Sequence, residues 1–192
     1  RNDDGSLKSR PQNIDKYFKE CITWSSISSS NLGARVLNNS IFGNGSALFL
    51  KNKNIYYYIL GLLNSKVCMQ YLSFFSPTLS FNAGDISKIP IILSEDHLIN
   101  CVTHIVCENI DLCINDWNAF ETSWDFMIHP FLNKEYNPMH IDLKTGLPNK
   151  TIQVAFKAWM AFSEYQFNKL KYNEEVLNRI FIEIYGLQDE LT

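Results

Sequence analysis

Hydroxyl and amide side chains concentrate in the loops of the first half of the chain. Five serines fall at positions 25–30. Asn44 stands between two glycines, and Asn82 follows the segment 78–81. Asparagine amides can pair with adenine through two hydrogen bonds in the major groove of DNA, and serine hydroxyls can bond several base edges. The same residues are common in plain turns, and composition alone favours that second explanation.

Basic residues cluster near the start of the chain, whereas acidic residues concentrate in 95–125 and after 174. The early basic residues are Lys8, Arg10, Lys16, Lys19 and Arg35. The formal net charge is −3, but local patches rather than net charge govern encounter with phosphates. The first part of the chain is therefore better suited to face nucleic acid, with ordinary solvated charge as the alternative.

No catalytic motif is complete. Asn137-Pro138-Met139-His140 comes nearest to the Asn/Asp-Pro-Pro-aromatic motif of adenine methylation, but it lacks the second proline and the aromatic that stacks on a flipped base. Gly43-Asn44-Gly45 is not followed by a phosphate-binding helix pattern. Asp142-Leu143-Lys144, with Asp125 upstream, has the acid-x-Lys form of a magnesium-dependent nuclease, although such pairs arise easily by chance. We predict no catalytic, metal or cofactor site within the chain.

The five cysteines stand at positions 21, 68, 101, 107 and 113. Their number is odd and no two form a close Cys-x-x-Cys pair, so neither a zinc site nor a disulfide framework is indicated. They are typical of small core residues in a reducing cytoplasm.

A chain of 192 residues, 46% hydrophobic and 14% aromatic, can bury a sizeable core and forms one domain or one domain with a helical appendage. No signal peptide is visible. The sequence begins with Arg1 rather than Met, so we expect an excised portion of a longer protein.

The most apolar stretch, residues 55–75, predicts a single buried helix. Its apolar face comprises Leu60, Leu63, Val67, Tyr71 and Phe74. A second face of small and polar residues around Gly61 and Asn64 would let another backbone approach closely. Ser76-Pro77 ends the helix, because proline disfavours α geometry in the preceding residue. Lys66 in the middle argues against the alternative, a membrane span.

Short strands are predicted on both sides of this helix. Residues 21–24, 35–37 and 40–42 are β-prone and separated by turn residues. Gly43-Asn44-Gly45 is typical of a tight hairpin, with 47–50 as the return strand. Residues 78–82 alternate like a further short strand, and 83–85 predict a turn.

The second half of the chain is predicted to be helical. Residues 94–96 open a helix with acidic residues suited to its N-terminus. A longer pattern runs from Thr151 to a stop at Gly186, either as one bent helix or as two in series if Asn173 begins a second. We expect the two helical stripes to face each other. They comprise Val102, Val106 and Ile110 on one helix and Trp159, Leu170 and Leu177 on the other.

Residues 116–130 connect these helices and are dense in aromatic side chains. Aromatic rings can stack on flipped bases, but a packed corner is the commoner use. Together the elements predict an α+β fold in two parts. Residues 1–93 form a small, mostly antiparallel sheet crossed by a helix, and residues 94–192 form the aromatic corner and a hairpin of 96–118 with 152–185.

Five blocks spread over nearly the whole chain carry a family resemblance. They are YFKECITWSSISS (17–29), ILGLLNSK (59–66), SPTLSFNAGDISKIPI (76–91), DWNAFETSWDFMIHP (116–130) and IEIYGLQDELT (182–192). These blocks resemble the target-recognition region of N6-adenine DNA methyltransferases. The resemblance is closest to the PglX-type enzymes of BREX phage-defence systems and to type IIG restriction-modification enzymes.

This resemblance implies sequence reading on double-stranded DNA rather than chemistry. The catalytic domain, with its S-adenosylmethionine, would then lie upstream in the same parent chain. The alternative is a protein-interaction or dimerisation scaffold that docks other defence proteins without touching DNA. The candidate DNA-contacting residues are Lys8, Arg10, Ser25, Ser26, Arg35, Asn44 and Asn82.

Overall fold

The computed structural model describes residues 12–43, 46–133 and 151–191. Over these ranges the chain forms three strands and five α-helices, which confirms the predicted α+β class. The structure divides into two compact units after Leu93. We call residues 1–93 the sheet unit and residues 94–190 the helical unit.

The sheet unit is built on one buried strand. β1 (Cys21–Trp24) lies between β2 (Ala34–Leu37) and β3 (Ala47–Leu48), and both pairings are antiparallel. All four residues of β1 are buried, because β-branched and aromatic side chains pack well on a pleated surface. The buried Thr23 hydroxyl donates a 2.7 Å hydrogen bond to the Ser46 carbonyl, so this polar group costs little to bury.

The hairpin predicted around residues 43–45 does not pair the expected strands. β3 pairs with β1, through Ile22 and Thr23, and residues 40–42 are not a strand. Instead, the Phe42 ring contacts Tyr17 and Phe49 edge to face, at centroid distances of 5.9 and 5.4 Å. Aromatic packing has replaced the predicted strand pairing of these residues.

The apolar stretch 55–75 forms two helices rather than the single one predicted. α1 (Lys53–Leu63) and α2 (Lys66–Phe75) are separated by Asn64 and Ser65. The Ser65 hydroxyl accepts from the Cys68 amide at 3.3 Å and donates to the Leu62 carbonyl at 2.7 Å. Such capping satisfies the backbone groups at a helix end and so lowers the free-energy cost of interrupting the helix.

Residues 74–86 also differ from the prediction. Phe74 is exposed rather than buried. Residues 78–82 form a single bridge, Ser80 to Ile27, instead of a strand. The predicted turn is the short helix α3 (Ala83–Ile86).

The helical unit contains α4 (Asp96–Asn118) and α5 (Ile152–Ile184). Of the two arrangements left open by the sequence, α5 is one continuous helix of 33 residues. Gly186 ends it at a φ of 64°, and the amides of Gly186 and Leu187 reach back to the carbonyls of Glu183 and Ile182, at 3.1 and 3.0 Å. This is the predicted glycine stop.

A buried asparagine joins α4 to α5. The Asn173 amide donates to Glu108 Oε2 and Asn109 Oδ1, both at 2.8 Å. Because the Phe131 ring, beyond the end of α4, contacts Phe156 near the start of α5, the two helices run antiparallel. Asn173 is therefore an interior polar residue and not the cap of a second helix.

The predicted facing of the two stripes is right for Leu177 and wrong for Trp159. Leu177 is buried, as are Val102 and Val106 of α4, and the antiparallel pairing brings these three residues to the same level. Trp159 lies near the start of α5, well away from Leu177, and stacks on Phe162.

The packed corner predicted at residues 116–130 is open on its outer side. Trp124 is fully exposed, and Trp117 and Phe120 are exposed by 59% and 52%. The expectation of a packed corner is therefore wrong for these three rings.

Candidate nucleic-acid interface

Four of the seven candidate DNA-contacting residues fall in the described part of the chain. Ser25, Ser26, Arg35 and Asn82 are all exposed there. Lys8, Arg10 and Asn44 lie outside the described residues, as do the rejected motifs at 137–140 and 142–144.

The antiparallel pairing of β1 with β2 brings Arg35 beside Ser25. Trp24 pairs with Ala34 and Thr23 with Arg35, so the end of β1 lies against the start of β2. Arg35 Nη1 donates to Ser25 Oγ at 3.2 Å and to the Gly33 carbonyl at 3.4 Å. A guanidinium carries five N–H donors, so the exposed side chain keeps donors for a further partner.

Two backbone segments meet next to this arginine. The Phe81 amide donates to the Ser26 carbonyl at 2.8 Å, and the Ser28 amide donates to the Leu79 carbonyl at 2.9 Å. The Trp24 indole adds a 3.0 Å bond to the Phe81 carbonyl. We call residues 26–28 and 79–81 the ribbon, and its pairing brings Asn82 to the same end of the unit.

Asn82 immediately precedes α3, which contributes Asp85 to an ion pair with Lys88. Lys88 Nζ approaches Asp85 Oδ1 at 3.0 Å. The hydrogen bond from Lys88 holds the pKa of Asp85 below its usual value, and hydrogen bonds from Asn82 and Ser76 act in the same direction. A carboxylate therefore lies beside Asn82 at the rim of the candidate interface.

A residue that the candidate set omitted holds β2 in place. Asn64 Oδ1 accepts from the Ala34 amide and Asn64 Nδ2 donates to the Ala34 carbonyl, both at 3.0 Å. This pair of hydrogen bonds imitates the pairing of a neighbouring strand and fixes the position of the residue before Arg35. The sequence did indicate this contact, because the predicted helix face of small and polar residues was expected to let another backbone approach closely at Asn64.

The remaining early basic residues lie elsewhere. Lys16 and Lys19 precede β1, whereas Ser25 follows it, so a strand of four residues separates them, roughly 13 Å at ~3.3 Å per residue. Lys16 pairs with Asp15 at 3.1 Å. These two lysines therefore do not join the Arg35 cluster.

The helical unit offers a different surface, an open cleft of about 630 Å³. Aromatic rings dominate its lining, which comprises Ala119, Phe120, Glu121, Thr122, His129, Pro130, Phe131, Phe156 and Trp159. His129 Nδ1 accepts from the Phe131 amide at 3.2 Å, so the neutral imidazole keeps its proton on Nε2. The cleft is mainly apolar and carries one acidic side chain.

The two units differ sharply in charge. The sheet unit has ten lysines and arginines against five acidic residues, whereas the helical unit has seven against fifteen. Within the described ranges, no cluster of three or more metal-ligating side chains occurs. No helix in these ranges is long and apolar enough to cross a membrane.

Two adenine-specific methyltransferases align with nearly the whole chain. PglX of Lacticaseibacillus casei (strain Zhang) is 34% identical over 190 residues, which cover 98% of this chain and 15% of that protein. BrxX of Escherichia coli O9:H4 (strain HS) is 28% identical over 189 residues, 96% of this chain and 14% of that protein. The chain thus spans about a seventh of each relative's length. No protein-family model matches it.

Proposed function

The chain is homologous to the adenine-specific methyltransferases PglX and BrxX over nearly its whole length, and from this premise we propose that it reads DNA sequence for such an enzyme. The observation that carries the proposal is the cluster of Ser25, Arg35 and Asn82 at one end of the sheet unit. Strand and ribbon pairings bring these exposed side chains together from three separate segments.

Charge supports the same surface. An excess of basic residues favours approach to phosphates, and the acidic balance of the helical unit opposes it. Arg35 has the geometry to bond guanine through two hydrogen bonds, and Asn82 belongs to the residue type that pairs with adenine. The sheet unit would therefore face double-stranded DNA.

Methyl transfer would take place outside these 192 residues. The only near match to the methylation motif, at 137–140, lacks two of its four elements. We place S-adenosylmethionine and the flipped adenine on a catalytic domain of the same longer chain, within a phage-defence enzyme of the cytoplasm. Calorimetry with the 192-residue chain should show no binding of S-adenosylmethionine.

Salt dependence of DNA binding tests the proposal. We expect the chain to bind duplex DNA with an affinity that falls linearly on a log–log plot against salt, with a slope near −0.9 per phosphate contact. Arg35→Ala should reduce affinity, while Arg179→Ala, an exposed arginine of α5, should not. Failure to bind any duplex at low salt would overturn the proposal.

A second function is favoured by the exposed aromatics of the helical unit. Trp124, Phe156 and Phe167 are large apolar side chains that a solvated surface does not require. Such a face is suited to a protein partner, either another defence protein or a second copy of the chain. Sedimentation that shows self-association lost on Trp124→Ser would support this scaffold function.

A further inference from the structure

The ribbon presents two large aliphatic side chains to solvent beside Arg35. Ile27 is 72% exposed and Leu79 is 60% exposed. They belong to the two segments that pair with each other, since Ile27 bridges Ser80 and the Ser28 amide bonds the Leu79 carbonyl.

Because successive side chains of a strand point to opposite faces, Ile27 shares its face with Ser25 and Asn82, whereas Leu79 lies on the face of the buried Phe81. Exposing aliphatic surface contributes nothing to folding, so the exposed Ile27 calls for another explanation.

The ribbon itself is firmly anchored. The rings of Trp24 and Phe81 are buried, and the indole bonds the Phe81 carbonyl beneath the ribbon. The Ser76 hydroxyl adds a 2.6 Å bond to the Ser80 carbonyl. Ile27 and Leu79 are therefore displayed from an ordered backbone.

The shape and chemistry of the ribbon fit the major groove of DNA. That groove is wide enough for a two-stranded ribbon, and the thymine C5 methyl is the apolar group on its base edges. Aliphatic side chains contact this methyl favourably, whereas they offer nothing to phosphates. The donors of Arg35 and Ser25 lie next to the ribbon, as a groove-binding element requires.

We propose that the ribbon enters the major groove and that Ile27, on the same face as Ser25 and Asn82, selects thymine through its methyl group. The inference deepens the proposed DNA-reading function and rests on it. The charge excess of the sheet unit matches a polyanionic partner, which favours DNA over an apolar protein surface as the occupant.

The test begins with selection of a randomised duplex DNA pool by the 192-residue chain. The enriched duplex is then synthesised with deoxyuridine at each thymine in turn, which removes only the methyl group. At the contacted positions wild-type affinity should fall about four-fold, the value of burying one methyl group. Ile27→Ser should bind the thymine and uracil duplexes equally, with an unchanged salt slope, whereas Leu79→Ser, on the opposite face of the ribbon, should retain the thymine preference.

Matched variants separate this effect from altered folding. Ile41→Ser changes the same residue type at 56% exposure elsewhere in the sheet unit, and it should retain the thymine preference. Ile27→Val keeps an aliphatic side chain and should retain part of that preference.

Two different failures can be told apart. If wild-type protein binds no duplex, the proposed function falls and the inference with it. If wild-type protein selects a sequence but the methyl effect is absent, or persists unchanged in Ile27→Ser, the ribbon does not read thymine and the DNA-reading proposal stands.

Discussion

Buried or bonded polar side chains have different structural roles in the two units. In the sheet unit, Asn64 and Trp24 bond backbone carbonyls or amides and so fix loops and strand ends. In the helical unit, Asn173 bonds two side chains of the facing helix. The first arrangement orders an exposed polar end, and the second fixes how two helices pair.

The exposed surfaces differ in the same way. Polar side chains accompany the exposed aliphatics around Arg35, whereas the helical unit exposes aromatic rings on an acidic background. Charge decides which surface can approach DNA, because phosphates repel the acidic unit. The proposed division of roles, with the sheet unit reading DNA and the helical unit contacting protein, rests on this contrast.

The largest expected effect is on stability, and it tests whether the helical unit is stabilised by its own core. Phe181 is completely buried on α5, and Phe181→Ala should lower the free energy of unfolding by about 3–5 kcal/mol. Phe167→Ala removes the same side chain at 66% exposure on the same helix and should cost within ~0.5 kcal/mol. Urea unfolding followed by circular dichroism measures both.

Hydrogen exchange in α4 and β1 sharpens this comparison. The Phe181→Ala change should speed exchange of the α4 amides far more than that of the β1 amides. Equal acceleration in both elements would show that the two compact units do not unfold independently.

The next effect concerns DNA affinity. Arg35→Ala should relax specificity at one base position, at a cost of about 1–3 kcal/mol. Arg179→Ala changes an exposed arginine of the acidic unit and should leave affinity unchanged. Binding of selected duplexes by both variants provides the measurement, and a larger loss from Arg179→Ala would place DNA on the helical unit.

The helices of the second half were largely predictable because their signals are local. Apolar spacing identified α4, and Gly186 marked the end of α5. The continuity of α5 was not predictable, since Asn173 is a good cap residue in isolation and only its partners on α4 keep it inside a helix.

The sheet and the candidate interface were harder to predict because they depend on distant pairings. β3 could have paired with residues 40–42 or with β1, and local sequence favoured the wrong partner. The Ser25–Arg35 contact follows from the β1–β2 register. The ribbon joins segments some fifty residues apart, and no local pattern reports that pairing.

A smaller effect tests the polar link between α4 and α5. Asn173→Ala removes the hydrogen bonds to Glu108 and Asn109 and should destabilise the helical unit by about 1–2 kcal/mol. The loss is limited because Lys169 still pairs with Glu108 at 3.2 Å. Asn168→Ala changes an exposed asparagine of the same helix and is the control. Equal melting temperatures for the two variants would show that the link contributes nothing to stability.

The smallest expected effect is a dependence of stability on pH within the helical unit. The hydrogen bond from Asn173, followed by that from Lys169, lowers the pKa of Glu108 below its usual value. A carboxyl whose pKa is lowered by folding stabilises the protein above its unfolded-state pKa and loses that contribution as pH falls through the folded-state value. Burial raises the pKa of Glu174, so this residue contributes in the opposite direction.

Glu108→Gln should therefore flatten the loss of stability between about pH 6 and pH 3, whereas Glu174→Gln should steepen it. Asn173→Ala should reproduce much of the flattening, because it removes the first cause of the lowered pKa at Glu108. Urea unfolding across this pH range measures how the free energy of unfolding of each of the three variants changes with pH. If Glu108→Gln leaves the slope of the free energy of unfolding against pH unchanged, Lys169 and Asn173 do not discriminate between the charged and the neutral carboxyl. Acid would then destabilise the helical unit through other groups.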